Sequence, residues 1–235
     1  MTNQALASGL ASTPAQAGVL AASVRQNQLR GGTFFTVNPS VNYDTRDSQF
    51  DPTKGTLVRL SASPSVGLAN ASFAKFGLSA SKYFKVNEKV TFATNIQGGA
   101  SLGNMPQFAQ YYMGGWNGVR GYRSFTDLGT GTSMLMATAE MRTKLPFVGG
   151  LDNKIAKAID RNVKGVFFID AGQVGGNSVT NTLLTRSYLG AAVGLGLRIK
   201  VPMLGIVRLD YGFPLISSAL GGYTPRLTVG FGDKF

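Results

Sequence analysis

From Gly32 onward the chain alternates apolar residues with small or polar ones at period two, segment after segment, and this restricts it to strands with one face in an apolar medium. The clearest segment sets Leu189, Ala191, Val193, Leu195 and Leu197 against Gly190, Ala192, Gly194, Gly196 and Arg198. The same division separates Ala74, Phe76, Leu78 and Ala80 from Lys75, Gly77, Ser79 and Ser81, and Val58, Leu60 and Ala62 from Arg59, Ser61 and Ser63. The spacing predicts about nine strands. They fall at Thr33–Asp44, Thr56–Ser65, Ser72–Phe84, Lys89–Leu102, Ser133–Pro146, Val163–Gly172, Tyr188–Val201, Gly205–Gly212 and Arg226–Phe235. A short helix fits Leu151–Arg161, where Ile155 and Ile159 share a face.

No hydrophobic run approaches the ~20 residues that a spanning helix needs, because Arg, Lys, Asp or Gly interrupts each one. Yet 43% of the 235 residues are hydrophobic, only 14% are charged and 31 are glycine, which is greasier and richer in glycine than a soluble domain. If such a chain crosses a bilayer, it crosses as strands. A soluble β-sandwich shows the same alternation with its apolar face turned into a core. The connections favour a barrel, since Lys85–Glu88 and Pro202–Leu204 are short while Gly103–Thr132, Gln173–Ser187 and Phe213–Pro225 are long. Tight turns at one end and long loops at the other are the habit of outer-membrane barrels. The expected fold is therefore all-β, a transmembrane antiparallel β-barrel over residues 32–235. Residues 1–31, rich in Ala, Gln, Ser and Thr, lack the basic and apolar regions of a secretory signal and read as a disordered or weakly ordered leader.

The charge balance is 23 basic against 11 acidic residues. Arg59, Lys75, Arg142, Lys164, Arg198, Arg208 and Arg226 all fall on the polar parity of their strands, with Glu140, Asp170 and Asp210 among the few acids there. The positive charge therefore lines an interior. A nucleic-acid face needs exposed basic residues clustered with stacking aromatics, so no nucleic-acid partner is expected. The absence of cysteine and histidine excludes disulfides, thiolate chemistry, histidine acid–base work and the usual zinc sites. There is also no Gly-x-Ser-x-Gly elbow. The reading is no enzyme, no cofactor and no metal.

One connection carries an unusual turn, Gly114-Gly-Trp-Asn-Gly-Val-Arg-Gly-Tyr-Arg123. An arginine taken out of water in such a turn needs an acidic or hydrogen-bonding partner. For Arg120 the candidates are Glu140 and Asp170, both on lumen parity. Trp116 and Tyr122 either pack with the loop or sit at the membrane interface. The chain ends on a strand with Leu227, Val229, Phe231 and Phe235 on one parity.

Four motifs follow in order: Tyr43-Asp-Thr-Arg-Asp47 with Asp51-Pro-Thr-Lys-Gly55, Val119-Arg-Gly-Tyr122, Phe168-Ile-Asp-Ala-Gly172, and Arg208-Leu-Asp-Tyr-Gly-Phe-Pro-Leu215. With them, the chain resembles the C-terminal part of the barrel in the BamA-type outer-membrane assembly and translocation superfamily, the bacterial surface antigen barrels. The later motifs look most like cyanobacterial or plastid-lineage members. The resemblance implies that the loop bearing Val119, Arg120, Gly121 and Tyr122 folds into the lumen and is locked there by Arg120 against Asp170 and Glu140. It implies that Phe231 and Phe235 belong to a C-terminal insertion signal. The implied role is insertion of outer-membrane proteins or translocation of polypeptides. The implied location is a bacterial outer membrane or an organelle envelope of that descent. The implied partners are the bilayer, unfolded or translocating polypeptide clients, and other assembly-complex subunits or a second copy. The alternative is a passive pore or structural barrel whose basic lumen favours anions. The resemblance implies N-terminal POTRA domains and a barrel of sixteen strands, whereas this sequence has room for neither POTRA domains nor more than about nine strands. The chain is thus a fragment of a larger barrel, a short member that closes by itself, or one that pairs with a second copy.

Overall fold

The computed structural model of the chain describes residues 33–67, 72–123, 127–145, 159, 161–176, 188–201, 203, 205–217 and 223–235. The expected leader at 1–31 lies outside these residues, as does most of the candidate helix at 151–161. The strands are β1 (Phe34–Thr36), β2 (Ser40–Asp44), β3 (Gly55–Gly67), β4 (Phe73–Lys85), β5 (Val90–Gly103), β6 (Tyr111–Tyr112), β7 (Thr130–Gly131), β8 (Ser133–Lys144), β9 (Val163–Gly175), β10 (Tyr188–Val201), β11 (Gly205–Pro214) and β12 (Arg226–Phe231). Ten of them form one sheet in the order β1-β3-β4-β5-β8-β9-β10-β11-β12, with β2 also on β3. Every pairing is antiparallel. The short pair β6 and β7 lies inside the long connection between β5 and β8.

The sheet curls into the wall of a barrel. Tyr83 on β4 meets the ring of Phe235 beyond β12, with centroids 6.3 Å apart. Lys164 on β9 reaches Asp51, in the turn between β2 and β3, at 2.7 Å. The two edges, β1 with β2 and β12, do not pair with each other among the described residues.

The period-two pattern holds along the wall. Phe76, Leu78, Ile96, Phe167, Ile169, Leu195, Leu227 and Phe231 point outward and are exposed, whereas Ser81, Asn95, Thr138, Glu140, Asp170, Arg198 and Arg208 are buried on the concave side. Leu195 sits midway along β10, opposite Phe167 and Tyr211. Leu195→Arg places a charge near the middle of the apolar band and is expected to cost about 2–4 kcal/mol. Chemical unfolding from lipid vesicles measures it, and an unchanged midpoint means that this face does not meet hydrocarbon.

Three expectations about the elements are corrected. The first strand, expected at Thr33–Asp44, is divided into β1 and β2. Its register on β3 is unbroken, since Thr36 faces Ser65 and Ser40 faces Ser61. Pro39, and Pro64 on the facing stretch of β3, each lack an N–H, so the ladder keeps there only the bonds from Val37 N–H to the Pro64 carbonyl and from Ala62 N–H to the Pro39 carbonyl. The final strand stops at Phe231, and Gly232 turns the chain inward with φ of 78°. The alternation of connection lengths is also looser than expected. Residues 145–162 join β8 to β9 at the end of the tight turns, and residues 68–72 join β3 to β4 at the other end.

The turn between β2 and β3 is internally braced. Arg46 donates from Nε and Nη2 to the two oxygens of Asp44 at 2.9 and 2.8 Å. Asp47 accepts from the N–H and hydroxyl of Thr53 and from the N–H of Lys54. Desolvation pushes the Asp47 carboxyl up, but these bonds outweigh it and hold the pKa down at about 2. A carboxyl depressed in the folded state stabilises the turn above its ordinary pKa, and the contribution fades as pH falls toward 2. The Asp44, Arg46 and Asp47 motif is thus structural.

Candidate functional site

The connection between β5 and β8 folds back into the lumen and presents Arg120 to the concave wall. Its backbone is set by a bond from the Val119 N–H to the Met113 carbonyl at 2.6 Å and one from Gly115 N–H to the Tyr122 carbonyl at 2.8 Å. Met113, Val119, Tyr122 and Leu128 then bury against Met136 on β8, Val174 on β9 and Ala192 on β10. Each such side chain contributes about 1.5–3 kcal/mol through lost contact with water. Tyr122 settles with the loop rather than at the membrane interface. It is buried, and its hydroxyl lies 2.8 Å from the Ala191 carbonyl and 2.7 Å from that of Ile216.

Below this apolar layer, Arg120 is wholly enclosed. Its Nε and Nη2 donate to the two oxygens of Asp170 at 2.7 and 2.8 Å, and its own backbone N–H donates to Asp170 Oδ2 at 3.0 Å. Nη1 donates to Glu140 Oε1 at 2.6 Å. The guanidinium also stacks on Phe168, its central carbon 3.4 Å from the ring centroid. The structure thus brings together the three residues that the sequence singled out, from the loop, β8 and β9.

The approach is close enough to depend on absent side chains. Gly121 has φ of 92°, in the region that favours glycine, and lies against Gly212 on β11. A Cβ on Gly212 would meet Gly121 N at 2.7 Å and the Arg120 carbonyl carbon at 2.8 Å.

The cluster is larger than the sequence disclosed. Glu140 also accepts from Arg142 Nε at 3.0 Å and Arg198 Nη2 at 2.9 Å, and Arg198 Nη1 donates to Asp210 at 2.6 Å. Arg142, Arg198 and Asp210 were legible as lumen residues, but not as neighbours of Arg120. Asp233 and Lys234 were missed. Asp233 accepts from Arg142 Nη2 at 2.7 Å, and Lys234 Nζ donates to Asp170 Oδ1 at 2.9 Å. The signal available for them was the glycine pair Gly230 and Gly232 just before Asp233, which marks a possible turn at a strand end.

Phe231 remains on the outer face, exposed, while Phe235 is buried inside against Tyr83. The two do not share a face as their common parity predicts. Trp116 lies half-exposed over Arg208, whose guanidinium carbon is 5.5 Å from the ring. The clustered carboxylates are all occupied by guanidinium or ammonium groups, and no metal-holding group of acids occurs among the described residues.

Two comparisons bear on this arrangement. Residues 7–235 match the family model of the Omp85 superfamily domain. The fold is similar to the crystal structure of BamA from Haemophilus ducreyi lacking POTRA domains 1-3, with a TM-score of 0.65 and 18% identity over 83% of this chain. The chain spans 42% of the length of that one.

Proposed function

The chain belongs to the Omp85 superfamily, and from that premise we propose that it acts on other polypeptides at an outer membrane, helping β-barrel proteins to insert or polypeptides to cross. The membrane is a bacterial outer membrane or an organelle envelope of that descent. The partners are the bilayer, unfolded or translocating clients, and further assembly-complex subunits or a second copy. The work is done by binding, without covalent chemistry.

The observation that carries this reading is the loop held in the lumen by Arg120. A loop that fills the lumen narrows the path left for solutes. A barrel that handles polypeptides gains from it a defined surface for them to meet. The unpaired edge of β12 among the described residues gives further support, because its backbone groups suit an extended chain. Phe231 and Phe235 serve as the chain's own insertion signal, read before the tail folds inward.

The test uses vesicles that contain the folded protein, to which a urea-unfolded outer-membrane barrel is added. Folding of that client, followed by its heat-modifiable gel mobility, is expected to be about tenfold faster than with empty vesicles. Equal rates with the protein fully folded overturn the reading. A second reading, an anion-favouring pore, rests on lumen cations whose hydrogen bonds go to neutral groups. Arg59 bonds to Asn42, Lys75 to the Ala109 carbonyl and Arg208 to Asn117. An anion-selective conductance that Arg120→Ala leaves unchanged favours the pore.

A further inference from the structure

We propose that Lys234 is the release counterion of the loop: it keeps Asp170 neutralised when Arg120 leaves, so that the loop opens without stranding a bare carboxylate in the lumen. This rests on the reading of Arg120 as the loop's lock.

Asp170 is shared between two segments of chain. Its Oδ2 accepts from the backbone N–H and Nε of Arg120, and its Oδ1 accepts from Arg120 Nη2, Thr138 Oγ1 and Lys234 Nζ at 2.8, 2.8 and 2.9 Å. The side chains of Lys234 and Asp170 are both fully enclosed. Lys234 is brought there by a tail with its own moorings. Gly232 N–H donates to the Ile206 carbonyl at 2.7 Å. Asp233 accepts two bonds from Arg142 and one from the Tyr83 hydroxyl at 3.3 Å. The Phe235 ring packs on Tyr83 and lies 5.4 Å from the Arg142 guanidinium carbon. Those moorings are to β4, β8 and β11, not to the loop, so the tail stays when the loop goes.

With the loop seated, the ion-paired cations Arg120, Arg142, Arg198 and Lys234 meet the carboxylates of Glu140, Asp170, Asp210 and Asp233, and buried Arg208 adds a further positive charge that bonds to Asn117. When Arg120 withdraws, Glu140 keeps Arg142 and Arg198, and Asp170 keeps Lys234. Breaking a buried pair is costly chiefly because a charge is left uncompensated. Here that cost is reduced in advance, and the positive charge of Lys234 also repels Arg120. Removing the Lys234 charge should therefore tighten the loop. A residue that merely braces the fold would loosen it.

The chain has no cysteine, so a thiol placed at buried Leu128 by Leu128→Cys reports loop opening through its rate of maleimide labelling. In this background, in lipid vesicles, Lys234→Met is expected to slow labelling about fivefold and Lys234→Arg to restore it. Faster or unchanged labelling in Lys234→Met overturns the proposal. If that variant fails to fold, Lys234→Gln, which keeps donors but no charge, gives the same reading by the same criterion. Arg120→Ala separates the two ideas: if it does not speed labelling, the lock itself fails. If it does while Lys234→Met does not slow labelling, only the counterion role fails.

Discussion

Asp170→Asn is expected to unseat the loop more than Arg120→Ala does, by about 3–5 kcal/mol against a value near or below the lower end of that range. The asymmetry follows from what each change leaves behind. Without Arg120, Asp170 keeps Lys234 and Glu140 keeps Arg142 and Arg198. Without the Asp170 charge, Arg120 keeps Glu140 at 2.6 Å and Asp210 at 3.5 Å, but Lys234 faces Arg120 with no carboxylate of its own and is left with the Thr138 hydroxyl at 3.1 Å. Labelling of the thiol at position 128 should rise roughly a hundredfold or more in Asp170→Asn. Combining Asp170→Asn with Arg120→Ala should cost less than the sum, because the cation that faces Lys234 is removed along with the carboxylate. Equal effects of the two single changes would show that Asp170 serves Arg120 alone.

How much of this was legible depends on whether a question concerns faces or heights. Parity assigns Glu140, Asp170, Arg198 and Asp210 to the lumen correctly, because side chains on a strand alternate without exception where no bulge intervenes. It cannot say which of them lie level. That depends on register, in which Glu140 faces Phe168, Phe168 faces Gly194 and Gly194 faces Gly212. The Val119–Tyr122 motif supplied the missing height for Arg120, Glu140 and Asp170 through its resemblance to a family, not through any local rule. The tail shows the limit from the other side. Period two runs on through Phe235, yet the chain leaves the strand at Gly232 because the partners that draw it inward, Arg142 and Asp170, lie far back in the sequence. Local alternation contains no record of them. The division of the first strand at Pro39 was legible in principle, since proline removes a ladder donor wherever it stands.

Gly212→Ala is expected to open the loop while leaving every charge in place. The added Cβ would lie 2.7 Å from Gly121 N, 2.8 Å from the Arg120 carbonyl carbon and 3.0 Å from its oxygen, all backbone atoms that no rotamer change can move aside. Either β11 or the loop must shift. β11 is held by ten register pairs to β10 and six to β12, so the loop yields. Overpacking of this kind costs about 1–3 kcal/mol, occasionally more. It also draws Arg120 away from Asp170, where a shift of a few tenths of an ångström lengthens three short bonds together. Labelling at position 128 should therefore rise, while the heat-modifiable mobility of the wall is retained. Adding Arg120→Ala to Gly212→Ala should then change little, since a loop already displaced has no lock left to lose. Full additivity of the two would mean that the glycine contact and the ion pair hold different parts of the loop, and that the seat is not a single cooperative unit.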